Sequence, residues 1–131
     1  MRVCSEVVEV RTFGPMKLFD ITTLVNDVVR RCGVSEGLAW VCVKGATPAL
    51  ILCEESRCEE VVEAITRLIP FSGWRHGNAY AHLISTTLST SIAVPVEGSR
   101  LVLAEGYSIK LLETRSVYNH RRQIVVQVHG R

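Results

Sequence analysis

Between Ser91 and Gly130 the chain carries four short apolar runs, "SIAVPVEG", "RLVLAEG", "SIKLLETR" and "RQIVVQVHG", separated by glycine or polar turns. Runs of this length, rich in branched residues and punctuated so often, suit antiparallel meanders and hairpins rather than helices. The C-terminal half is therefore expected to be mostly sheet. Any fold for this chain must cover that sheet with what comes before it.

The N-terminal half supplies the cover. "VCSEVVEVRTF" predicts an opening strand that ends near Gly14-Pro15. From Thr22 or Thr23, either of which can cap a helix, Leu24, Val25, Val28, Val29 and Cys32 recur at helical spacing and stop at Gly33. "LAWVCVK" and "ALILC" read as buried strands interrupted by Gly45 to Pro48, because proline cannot donate into a central ladder. Ser56 and Glu59 have capping-box spacing ahead of a second helix, Val61 to Ile69, which ends before Pro70. Asn78 is a favourable cap for a short third helix over Ala79 to Ile84. This order of elements indicates α+β packing in one domain, since 131 residues suffice for one compact core.

Composition excludes several classes. The excess of 15 Lys+Arg over 13 Asp+Glu is too small to predict nucleic-acid binding without clustering, and only Arg121-Arg122 beside His120 approaches a cluster. No apolar stretch has the roughly 20 residues needed to cross a bilayer, and Met1 to Phe13 lacks the apolar core of a signal peptide. A cytoplasmic protein with no membrane partner is the expectation. Five cysteines without C-x-x-C spacing read mostly as buried thiols, although disulfides do occur in intracellular proteins of hyperthermophiles.

Chemistry concentrates in "RHGNAYAHLISTTLSTS", Arg75 to Ser91. His76 and His82 stand six apart, which is not the spacing that places two imidazoles on one helix face, so a shared metal requires the chain to bend between them. The bland alternative is one exposed histidine and one satisfied by a neighbour. The run Ser85, Thr86, Thr87, Ser89, Thr90, Ser91 could hold phosphate, or could cap a helix and line a solvated strand face. No nucleophile elbow, metalloprotease motif or dinucleotide fingerprint is present.

Taken together, "FDITTLVNDVVRRCGVSEGLAWVCV", "GNAYAHLISTTLSTSIAVPVEGSRLVL" and "RRQIVVQVHG" resemble, in order and spacing, the YjbQ family, also called the secondary thiamine-phosphate synthase family. The most specific elements are His76, the N-A-x-A-H of Asn78 to His82, Pro95, and the G-x-R-L-x-L of Gly98 to Leu103. The resemblance implies a single domain over residues 1–131, with β-sandwich-like antiparallel sheets and two to three covering helices. It also implies a homotrimer, for which the 47% hydrophobic content leaves apolar area. The activity it implies is weak synthesis of thiamine phosphate from a pyrimidine methyl diphosphate and a thiazole phosphate.

By that resemblance His76 and His82 are the expected catalytic residues, and Asn78, Thr47 and Glu54 the expected substrate-binding ones, the last two on a looser match. Magnesium or zinc would suit a departing diphosphate, and the sequence leaves both the metal and its ligands open. Four positions depart from the family pattern: a usual histidine is Gly45, an asparagine is Cys53, an acid is Tyr80, and G-T-W-Q is Ala104 to Tyr107. Two readings follow, a divergent transferase and a non-catalytic trimer that binds a small anion or serves a structural role. A pocket plugged by Tyr80 or Tyr107 would favour the second.

Overall fold

The computed structural model describes all 131 residues. Along the chain run β1 (Arg2–Thr12), β2 (Lys17–Asp20), α1 (Thr22–Cys32), β3 (Glu36–Val43) and β4 (Ala49–Glu54). A single 3-10 turn (Glu55–Arg57) leads into α2 (Cys58–Leu68), followed by α3 (Ala79–Leu88), β5 (Ser91–Glu97), β6 (Arg100–Leu101), β7 (Tyr107–Glu113) and β8 (His120–Gly130). Every strand pairing is antiparallel, in a five-stranded sheet ordered β1-β8-β3-β5-β6 and a three-stranded sheet ordered β2-β7-β4. The expected α+β architecture with three covering helices is the observed one.

Strand alternation decides which residues meet. On the five-stranded sheet Val8 and Val10, Ala39, Val41 and Val43, Val94 and Val96, and Ile124, Val126 and Val128 point inward. They pack against Leu50, Ile109 and Leu111 of the smaller sheet and against α1. The smaller sheet's other face presents Ala49 and Leu112 to Val62 and Ile65 of α2, to Ile69 just beyond it, and to Ile84 of α3. The result is sheet upon sheet upon helices. Burying each such aliphatic side chain contributes about 1.5–3 kcal/mol.

Helix α1 buries Val25, Val28, Val29 and Cys32, an i, i+3, i+4, i+7 stripe that turns one face to the core. Gly33 ends it in a left-handed conformation at φ 68°, which a glycine adopts without a Cβ penalty. Arg2 then caps the exposed carbonyls, its Nη1 donating to the Cys32 and Gly33 oxygens at 3.2 Å each. A charged residue at Val28 would break this helix's packing first, because that position is fully buried.

Several local expectations are corrected. Neither Thr22 nor Thr23 caps α1; the Thr22 hydroxyl instead accepts the Ile109 N–H at 2.9 Å, tying helix to sheet. Ser56 does not cap α2 but donates to Glu54 at 2.9 Å, because the chain first makes the 3-10 turn. Helix α3 continues four residues past Ile84, so Ser85 to Thr87 lie on a helix and not on a strand. Nor are the cysteines mostly thiols. Cys4 pairs with Cys32 and Cys53 with Cys58, at Cα separations of 5.8 and 5.5 Å, leaving Cys42 as the free thiol. Cys4 and Cys32, 28 residues apart, became neighbours only when β1 was laid beside the end of α1.

Candidate functional site

The two sheets are closed at one end by a polar plug. Arg122 of β8 donates from Nε and Nη2 to the two oxygens of Glu113 of β7, at 2.8 Å each, and Thr12 of β1 donates to the same carboxylate at 2.7 Å. Arg122 Nη2 also reaches the Thr47 hydroxyl at 3.0 Å, while the Thr114 hydroxyl donates to the Thr47 carbonyl at 2.6 Å. Burial works against the ionised Glu113, yet the bonds from Arg122 and Thr12 outweigh it and hold the carboxyl below its ordinary range. Thr47 is thus a buried strut of the β3–β4 loop.

Over this strut lies a hollow of about 310 Å³, lined by Gly45 and Ala46 of the same loop and by His82, Ser85, Thr86, Ser89 and Thr90. His82, Ser85 and Thr86 follow i, i+3, i+4 spacing and share one face of α3, and Ser89, which ends the helix at φ 88°, adds the next hydroxyl. Ser85 donates to the Pro48 carbonyl at 2.6 Å, fixing helix to loop. The N–H groups of Gly45 and Ala46 have no acceptor within the chain. No carboxylate lines the hollow.

His82 also borders a second, smaller hollow with His76, Asn78, Ala79 and Leu83. Asn78 does not cap α3 through its side chain; its Nδ2 lies 3.4 Å from His82 Nε2. His76, His82 and Asn78 are therefore brought together around one short helix, with His76 exposed in the preceding turn. Glu54 is not with them. It ends β4 next to Arg57, at 3.6 Å, about 17 Å along the strand from Ala49 at the hollow's end.

The family departures split in the same way. Cys53 and Tyr107 sit at the far end of the small sheet with the matched Glu54, which is Tyr107's register partner. Gly45 and Tyr80 sit near the hollow but do not converge. Tyr80 leaves α3 about 200° round from His82, packs edge-on against Phe71 with ring centroids 4.8 Å apart, and donates to the Thr114 carbonyl at 2.9 Å. Burial pushes its phenol above the ordinary value, keeping it a neutral donor. The ring does not plug the hollow. Nor does one chain fit a divalent metal, since no three His, Cys, Asp or Glu side chains come close enough to hold one.

What sequence reasoning undervalued was the hydroxyl run. The signal available was its helical spacing behind His82, obscured because the helix was expected to end at Ile84.

An antiparallel sandwich with three helices and a hydroxyl-lined hollow at its plugged end defines an α+β protein. The family model described as UPF0047 protein YjbQ-like matches residues 6–131, and the chain belongs to that family. A UPF0047 protein of Archaeoglobus fulgidus is 36% identical over 79% of this chain and 85% of its own length. A UPF0047 protein of Methanothermobacter thermautotrophicus is 29% identical over 96% and 93%. Among solved structures, a YbjQ-like protein of unknown function from Sulfolobus solfataricus P2 superposes with a TM-score of 0.92 at 28% identity, covering 99% of both chains. A hypothetical protein of Aeropyrum pernix K1 gives 0.86 at 28%, covering 97% of this chain and 98% of its own.

Proposed function

We propose that the chain binds a small phosphorylated ligand in the hollow between α3 and the Gly45–Ala46 turn. The observation that carries this is the donor set: Thr86 and Thr90 hydroxyls, the His82 imidazole and two free backbone N–H groups, beside the Ser85 and Ser89 hydroxyls that already donate to the Pro48 and Ser91 carbonyls, with no carboxylate among them. The carbonyl end of α3 opposes an anion by about 0.3–1 kcal/mol. Each hydrogen bond to a charged oxygen contributes about 1.5–3 kcal/mol, so two or three of them prevail.

If the ligand is a thiazole phosphate, the family-type reaction has its ring nitrogen attack the pyrimidine methylene carbon as the bond to the departing diphosphate breaks. His82 is the titratable side chain lining the hollow and the group placed to steady that departure. The competing reading, a non-catalytic anion-binding protein, is favoured by the lack of any metal-holding cluster. Turnover of the two substrates separates these readings. Calorimetric titration tests the binding itself: inorganic phosphate and a thiazole phosphate should bind the unmodified chain, and His82→Ala with Thr86→Val should weaken binding roughly tenfold. A flat titration of the unmodified chain would refute the site.

The assembly belongs to the same proposal. Three copies associate through the outer face of the five-stranded sheet, where Val3 (58% exposed), Val7 (56%) and Trp40 (48%) face away from the core, with Leu38, Val125 and Pro95 beside them. Ser5, Gln127 and His129 share that face, and exposed valines and a tryptophan gathered among them mark an interaction surface.

A further inference from the structure

The G-x-R-L-x-L segment contributes nothing to the hollow beside α3. It forms the tight turn between β5 and β6, with Gly98 at φ 58° and Ser99 at φ 60°. That pair of left-handed residues is the two-residue hairpin geometry, and it turns Ser99 and Arg100 toward α1. Between them and the helix lies a groove of about 410 Å³, lined by Thr23, Asn26, Asp27, Arg30, Ser99 and Arg100, without one apolar side chain.

We propose that this groove binds a small hydroxylated oxyanion, a phosphate ester or a hydroxy-carboxylate, seated on the Arg100 guanidinium. Asn26 is already oriented to donate, because its Oδ1 accepts the Leu101 N–H at 2.9 Å, which commits the side-chain amide and leaves Nδ2 as a donor. Asp27 holds Arg30 at 2.8 Å, so those two charges offset each other. Arg100 makes no ion pair and no side-chain hydrogen bond within the chain, and it supplies the groove's surplus positive charge. A guanidinium offers two parallel donors to a phosphate or carboxylate edge. Thr23 and Ser99 offer hydroxyls for the ligand's own, and the groove's volume exceeds what a bare anion fills. The site is separate from the α3 hollow, sharing no residue with it.

The test uses the full chain in a His82→Ala, Thr86→Val background, which disables the other hollow. Glycerol 3-phosphate and glycerate are titrated separately, following the side-chain N–H resonances of Arg100 and Asn26 by NMR. Saturable shifts of both resonances with either anion are expected, and the anion that produces them tells phosphate from carboxylate recognition. Arg100→Gln should weaken binding roughly tenfold or more. Ser99→Gly, which relieves the left-handed serine while removing its hydroxyl, should weaken it by less. Absence of shifts with both anions overturns the proposal, as does affinity that Arg100→Gln leaves within about twofold.

Discussion

Arg122 grips Glu113 with two parallel hydrogen bonds of 2.8 Å, from side chains that are 7% and 0% exposed, at the end of the sandwich that carries the hydroxyl-lined hollow. A buried pair is strong only while both partners stay. Glu113→Gln should therefore cost about 3–5 kcal/mol in denaturant unfolding, whereas Glu113→Leu with Arg122→Met should cost far less. Equal losses from the single and double substitutions would show that packing, not charge, holds this end.

The same carboxylate predicts an acid transition. Its folded pKa lies below its unfolded value, so its contribution is present above the unfolded pKa, about 4.3, and is lost as pH falls through the folded one. Thermal melts should fall below about pH 4 in the unmodified chain. In the double substitution that acid arm should be shallower.

Gly45 and Tyr80 do not form a site awaiting repair. A Cβ on Gly45 would lie 3.1 Å from Arg122 Nη1 and from Pro48 Cδ, on a backbone at φ 125° that side chains rarely adopt. Tyr80→Asp removes the hydrogen bond to Thr114 and the contact with Phe71, a loss of roughly 2 kcal/mol. Gly45→His with Tyr80→Asp is expected to lower the melting temperature without tightening zinc or phosphate binding, as read by calorimetry. Tighter metal binding in that variant would show that the two positions converge after all.

Cys4–Cys32 closes a long loop between β1 and the end of α1, and Cys53–Cys58 a short one. Chain-entropy estimates assign about 3.6 kcal/mol to the first and about 2 kcal/mol to the second. Cys4→Ser should accordingly destabilise more than Cys58→Ser in denaturant unfolding under non-reducing conditions.

Trp40→Glu places a charge at the centre of the outer sheet face. Light scattering should report a trimer for the unmodified chain and a monomer for the variant, with circular dichroism unchanged. A trimer that survives the substitution would move the interface elsewhere.

Much of the architecture was decided by local chemistry. The valine stripe of α1, the glycine that ends it, and the alternating runs of β5 and β8 are properties of short segments, and a 3.6- or 2-residue period declares itself without a partner. His76, Asn78 and His82 lie within seven residues, so their meeting around one helix was also local. Glu54 was placed with them only by a loose motif match, and a strand carried it to the opposite end of the small sheet. Tertiary structure alone decided the rest. The partners of Cys4, Arg122 and Thr47 come from elements 28, 9 and 75 residues away, and no periodicity encodes which side chain a sheet will bring opposite another. The hollow itself exists because Ser85 ties α3 to the β3–β4 loop at Pro48, a contact that sequence alone could not supply and that packing of α3 on β4 made short.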